Sequence, residues 1–204
     1  LFYGVTYDKM GDMGHVQWPC PTLDHPGTPY LYAGNQFDTP DGKGHLFAAP
    51  WRAPAERPDD KYPLVLCTVR EVGHYSCRSM TGNCAALQSL ADEPGFVQIN
   101  PQDAQKLGVK DKQLVWVASR RGKVITRANV NERINHGSVY MTYQWWIGAC
   151  NELTQDNLDP ISKTPETKYC AVNISAIEDQ NWAENYALES YQSMKSRLRE
   201  AVAG

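Results

Sequence analysis

The sequence predicts a mainly β fold with short helices: a closed or nearly closed barrel of six short strands, preceded by an extended arm and followed by a C-terminal helix. Three observations predict it. From residue 61 onward, six apolar or alternating segments recur, separated by turn signals or short helical stretches. Before that point proline and glycine interrupt the chain too often for a helix or a central strand. The final segment carries an apolar spacing of helical period.

Taken in order, residues 1–60 contain QWPCPTLDHPGTPY and FDTPDGKGHLFAAPWRAPAERPDD, which read as an extended arm with short strands at YLYAG and HLFAA. The stretch AAPWRAPAERPDDKYP reads as a linker, so the compact domain is expected over 61–204. Tyr62–Val69 is almost unbroken in apolar character, which predicts a strand buried on both faces. Gly82–Ala91 is helix-like and stops at the turn signal DEPG. Phe96–Ile99 alternates as a short strand; Asn100 then caps a helix, PQDAQKLG, with Pro101 at its first position and Gly108 at its end. Gln113–Ser119 and Lys123–Val130 flank Arg120-Arg121-Gly122 as a hairpin. Ser138–Tyr143 and Tyr169–Ile177 are the last two strands. From Asn181 the letters N-W-A-E predict a capping box, and Tyr191, Met194, Leu198 and Ala201 follow at helical spacing. No internal repeat or low-complexity tract interrupts this order.

Bulk properties exclude several function classes. The 204 residues suffice for a real core, and the net charge of -3 provides no polybasic field. Nucleic acid and membrane insertion are therefore excluded as expectations, since no eighteen apolar residues run together. Any anionic ligand must be held locally. The opening residues lack the basic-then-apolar order of a signal peptide and an initiator Met, so the chain is expected to be a piece of a longer one. Six cysteines, Cys20, Cys67, Cys77, Cys84, Cys150 and Cys170, contain no C-x-x-C pair. They are expected to be reduced and mostly buried, with no zinc or iron–sulfur site built within this chain.

Three polar stretches carry the chemistry. TVREVGHYSCRSMTGN, 68–83, follows the first strand, where side chains reach a rim. Arg70 offers a planar fork suited to phosphate or a carbonyl, Glu71 accepts two donors, and His74 and Ser76 supply single directional bonds. The competing reading is a solvated loop with local ion pairs. MTYQWWIGACNELT, 141–154, sets Tyr143, Trp145 and Trp146 beside a glycine that permits close backbone approach, and then the amide of Asn151. Its competing reading is a core aromatic cluster. NLDPISKTPETKYCAV, 157–172, is an irregular loop in which Lys163 and Lys168 offer point charges to phosphates or lie at the surface.

These pieces in this order, KYPLVLCTVREVGHYSCRSMTGN, FVQINPQDAQKLGVKD, LVWVASRRGKVITRANV, GSVYMTYQWW, NELT and DPISKTPETKYCAV, resemble the C-terminal domain of the molybdopterin oxidoreductases. The wording REVGHYS and MTYQWWIGACNEL is most similar to the hydrogenase-linked, cytoplasmic type of formate dehydrogenase, and the likeness runs over essentially the whole chain. The resemblance implies a double-psi β-barrel that closes over bis(molybdopterin guanine dinucleotide) with molybdenum or tungsten. It implies cofactor contacts from Arg70, Glu71, His74, Ser76, Tyr143, Asn151 and Lys168, whose chemistry suits guanine and pterin edges and pyrophosphate. Family members also carry an N-terminal cysteine set for a four-iron cluster and a selenocysteine or cysteine metal ligand with an adjacent histidine. Neither is in this sequence, so no residue here is expected to be catalytic or to bind the metal. The implied partners are the remainder of the catalytic subunit and an iron–sulfur protein or hydrogenase subunits. A nitrate- or sulfoxide-reducing relative and a non-enzymatic double-psi barrel recognition module are the alternatives.

Overall fold

Strand burial in the computed structural model, which describes residues 1–90 and 93–203 (backbone only for 202 and 203), follows the apolar pattern of the sequence. The helices are α1 (Tyr7–Met13), α2 (Ala85–Leu90), α3 (Pro101–Leu107) and α4 (Gln180–Ala203). The strands are β1 (Leu64–Val69), β2 (Phe96–Ile99), β3 (Leu114–Ala118), β4 (Lys123–Val130), β5 (Ser138–Thr142) and β6 (Tyr169–Ala176). They close into one barrel in the order β1-β5-β2-β4-β3-β6.

Two pairings are parallel, β1 with β5 and β2 with β4, and the rest are antiparallel. Exchanging β1 with β4, β2 with β5 and β3 with β6 maps this set of pairings onto itself, directions included. Two three-stranded halves therefore interlock, which is the double-psi arrangement implied by the resemblance. In β1, Leu64, Leu66 and Thr68 are buried while Val65, Cys67 and Val69 are half-buried. The expectation of burial on both faces is corrected: only the inward set of this pleated strand is covered completely. Inward residues of all strands, among them Val97, Ile99, Val117, Val139, Met141 and Val172, form the main core. A second cluster, Leu114, Ile125, Ile177, Ala183 and Ala187, joins α4 to the outside of the barrel.

The helix signals hold with two shifts. Asn100 accepts from Gln102 N at 2.9 Å, Pro101 opens α3, and Gly108 ends it in the left-handed region at φ 65°. The expected helix over 82–91 starts as a 3₁₀ turn at Thr81–Asn83 and continues as α2; its last residue, Ala91, and part of the DEPG turn lie outside the described residues. The cap of α4 is Asp179, whose Oδ1 accepts from Trp182 N at 2.9 Å, in place of Asn181. The carboxylate of Glu184, the expected partner in an Asn181 box, instead forks onto Arg127 at 2.8 and 2.9 Å.

The chain forms two compact units, Leu1–Arg52 and Ala53–Gly204. In the first, α1 is capped by Thr6 and ends at Gly14 in the left-handed region, and Cys20 is fully buried, with its backbone bonded to Leu1 and Gly4. The strands expected at YLYAG and HLFAA do not form. Ala33–Asn35 is a 3₁₀ turn, and Leu46 and Phe47 are almost wholly exposed, so neither segment finds a ladder partner or a surface to bury against. All six cysteines are free; Cys20, Cys150 and Cys170 are buried, Cys67 is half-buried, and Cys77 and Cys84 are exposed. That corrects the expectation of mostly buried thiols for Cys77 and Cys84.

Candidate functional site

Parallel pairing of β1 with β5 sets the site. Val69 lies beside Thr142 at the carboxyl ends of these strands, so Arg70 and Tyr143 leave the barrel at one rim. Antiparallel β6 begins at the same rim, because Tyr169 stands beside Cys67 and Lys168 O accepts from Thr68 N at 3.3 Å. Three stretches far apart in sequence thus converge.

The convergence is specific. Arg70 Nε donates to Tyr143 Oη at 2.7 Å, and Lys168 Nζ lies 5.5 Å from the centre of the same ring. Arg70 also approaches the Tyr75 ring, at 6.0 Å. Both cations are exposed, and no carboxylate contacts either among the described residues. Two unneutralised cations beside a phenol that accepts from one of them form a donor-only surface. Such a surface is complementary to phosphate oxygens.

The remaining expected residues take different positions. Glu71 Oε2 accepts from Trp145 Nε1 at 3.1 Å, and the Glu71 side chain borders a cleft of about 340 Å³ shared with Gly95, Lys112, Arg127 and Trp145. His74 is buried; its Nδ1 lies 3.0 Å from Thr81 Oγ1 and its ring meets Trp145 edge-on. The imidazole therefore holds the loop's own shape. Ser76 is half-buried in the left-handed region, φ 46°, with its hydroxyl bonded to the Cys77 thiol. Asn151 sits on a 3₁₀ turn, Cys150–Glu152, with an exposed side chain 4.0 Å from Cys150 Sγ, and no described side-chain contact joins it to Arg70, Tyr143 or Lys168. Lys163 bonds Pro160 O at 2.9 Å at the surface.

Four residues outside the expected set build this rim. Trp145 is buried and Trp146 about half exposed, so the core reading of the tryptophans holds for the first alone. Arg78, also buried, lies 4.1 Å from the Trp145 ring and pairs with Glu93 at 2.6 Å. Gln144 is buried and bonds both loops. A lone amide between Tyr143 and two tryptophans was the available signal, because a buried polar group must find partners. Glycine at 148, φ 81°, lets the second loop pack on β4: a Cβ there would lie 2.8 Å from Ile125 O.

The donor set fits a nucleotide-bearing cofactor. The guanidinium of Arg70 and the ammonium of Lys168 match phosphate oxygens in chemical type, and the Asn151 amide and Glu71 carboxylate match the donor and acceptor edges of a ring. Among the described residues no group of three or more His, Cys, Asp or Glu could hold a metal ion.

The chain is similar over most of its length to several known proteins. The chain is 61% identical over 203 residues to formate dehydrogenase H of Escherichia coli, covering 98% of this chain and 28% of that protein. It is 41% identical to the F420-dependent formate dehydrogenase 1 subunit alpha of Methanococcus maripaludis, over 86% of this chain and 26% of that one. The assimilatory nitrate reductase catalytic subunit of Bacillus subtilis is 36% identical, over 86% of this chain and 25% of that one. The chain thus spans about a quarter of the length of the curated relatives it matches. Residues 64–171, more than half of the chain, match the family model described as the molydopterin dinucleotide binding domain, and the chain belongs to that family.

Proposed function

We propose that this chain is the cofactor-gripping part of a molybdenum- or tungsten-dependent formate dehydrogenase that interconverts formate and carbon dioxide. Residues 1–60 act as the arm from a preceding domain and 61–204 as the binding domain. The observation that carries the reading is the Arg70–Tyr143–Lys168 cluster: two cations without a carboxylate, fixed on one phenol at the open rim of the barrel. The cofactor is bis(molybdopterin guanine dinucleotide), which when bound supplies the redox chemistry at its metal.

Each residue of this chain does a separate job. Arg70 and Lys168 neutralise phosphate charge, and Tyr143 orients the guanidinium through its oxygen while its own hydrogen remains to be donated. Asn151 and Glu71 present an amide and a carboxylate oxygen to the edges of guanine or pterin. His74 and Ser76 hold the first loop in the shape that aims Arg70 and Glu71. Partners are the rest of the catalytic subunit, with its four-iron cluster, and an iron–sulfur protein or hydrogenase subunits, in the cytoplasm. Among the described residues no helix is long and apolar enough to cross a membrane.

The 36% identity to a nitrate reductase supports a second reading, in which the same rim serves a nitrate-reducing enzyme. The higher identity to formate dehydrogenases favours formate. In the full-length protein, Arg70→Ala and Lys168→Ala are each expected to lower bound molybdenum or tungsten. Loss of a charge-assisted bond is worth roughly 1.5–3 kcal/mol, about tenfold or more in affinity. Metal analysis of purified protein, with formate and nitrate turnover beside it, tests both readings. Full metal content in Arg70→Ala or in Lys168→Ala would remove the assignment of this rim.

A further inference from the structure

One buried amide joins the two polar loops. Gln144 is 2% exposed and sits in the second loop. Its Oε1 accepts from Glu71 N and from Thr142 Oγ1, the latter at 3.1 Å, and its Nε2 donates to His74 O at 2.9 Å. Its backbone carbonyl accepts from Arg78 Nε at 2.5 Å. Three residues of the first loop therefore hang on one residue of the second. Arg78 repeats the connection: its Nη2 reaches Glu93, whose carboxylate also takes Trp146 N at 3.0 Å and Ile147 N at 2.8 Å.

The need for this lock lies in the first loop itself. Ser76 and Arg78 are non-glycine residues at φ 46° and 63°, a region that side-chain sterics disfavour. A loop with two such residues keeps its shape only when its surroundings over-determine it. An amide at 144 is chemically required, because the position both accepts and donates within one side chain. A carboxylate has no donor for His74 O, and an aliphatic chain has neither function.

We infer that Gln144 is a positioning residue for the cofactor-binding rim: its amide fixes the loop that bears Arg70 and Glu71 against the segment that bears Tyr143, so that both present one preformed ligand surface. The inference rests on the reading of the rim given above. Gln144 itself is buried and does not touch the ligand. Its effect is preorganisation, which lowers the ordering cost of binding.

The test uses the full-length protein with Gln144→Glu and Gln144→Met, and with Arg70→Ala alongside. Molybdenum and tungsten content is measured on purified protein, and hydrogen exchange is followed at residues 70–79 and in the strands. Gln144→Glu keeps the size and replaces the donor by a carboxyl oxygen, which also brings charge to a buried site, whereas Gln144→Met removes donor and acceptor without charge; a loss shared by both variants is assigned to the missing amide. Both Gln144 variants are expected to hold several-fold less metal and to exchange at 71–78 about tenfold or more faster, with β1 and β5 still protected. Wild-type metal content and loop exchange would overturn the inference. So would loss of protection in β1 and β5 in step with the loop, since Gln144 would then serve folding alone. Full metal in Arg70→Ala would mean that the rim reading itself has failed; depletion in Arg70→Ala beside undepleted Gln144 variants would sink this inference alone.

Discussion

Burial sets thiol chemistry residue by residue. Desolvation pushes the Cys150 thiol up to about 12 and the Cys170 thiol up to about 11, so both stay protonated at neutral pH. Cys77 is exposed, and bonds from the Ser79 backbone, the Ser79 side chain and Ser76 hold its thiol below the usual value. Maleimide at neutral pH is therefore expected to label Cys77 well before Cys150 or Cys170, which react only after unfolding. Peptide mass spectrometry over a time course checks the order, and equal rates would contradict it. The sequence could not rank these thiols, because their spacing says nothing about which side of a loop faces solvent. It did present Arg70, Tyr143 and Lys168 as candidates, since each is a donor type at a strand end. The partners of Gln144 and Arg78 were not legible: Glu71 and His74 lie 73 and 70 residues from Gln144, and Glu93 lies 15 residues from Arg78.

Among the elements, the segment before β1 is where composition misleads most. AAPWRAPAERPDDKYP reads as a linker, yet Glu56 accepts from Ala171 N at 2.6 Å and forks onto Arg121 at 2.7 and 3.0 Å, while Asp59 pairs with Arg120 at 2.5 Å. The segment is pinned to the β3–β4 turn and to β6. Burial pushes the Glu56 carboxyl up, but the Arg121 guanidinium, the Ala171 N–H and the charges of Arg121 and Arg120 outweigh it and hold the group below its ordinary 4.5. A depressed carboxyl contributes stability that is present above its ordinary value and is lost as pH falls through the folded one. Glu56→Gln is expected to melt roughly 2–4 °C lower than the parent at pH 6, about 1 kcal/mol, and the gap should narrow as pH falls below 4.5. Thermal scans at both pH values read this directly, and a gap that widens in acid would contradict the pinning. The strands themselves were legible, because period-two alternation and apolar runs survive in the sequence whatever they pair with. HLFAA was misread for the complementary reason: its local pattern suits a strand, and no partner edge meets it.

At the scale of the whole molecule, the residue pattern reached a barrel of six strands but not its order. Partners such as Val65 and Ser138 lie more than seventy residues apart, and nothing local encodes which strand closes against which. The interlocked topology came from the resemblance, and the pairings agree with it. The molecule then has two layers that differ in what holds them. The barrel interior is mainly apolar packing, with Thr68 among its buried residues, whereas α4 is held outside by Ala183 and Ala187 against Leu114 and Ile125, by Gln180 bonding both N and O of Leu114, and by Glu184 on Arg127. These contributions are unequal. The Glu184 side chain is half exposed, and an ion pair of that kind is worth about 0.5 kcal/mol, whereas placing a carboxylate at the buried Ala187 site costs roughly 2–4 kcal/mol. Hydrogen exchange on the full-length protein is accordingly expected to accelerate across α4 by on the order of a hundredfold in Ala187→Glu and by about twofold in Glu184→Gln. Protection in β1, β2 and β5 should stay unchanged in both, since their side chains belong to the interior cluster. Equal effects of the two substitutions would mean that the ion pair, and not the small-residue face, holds the helix to the barrel.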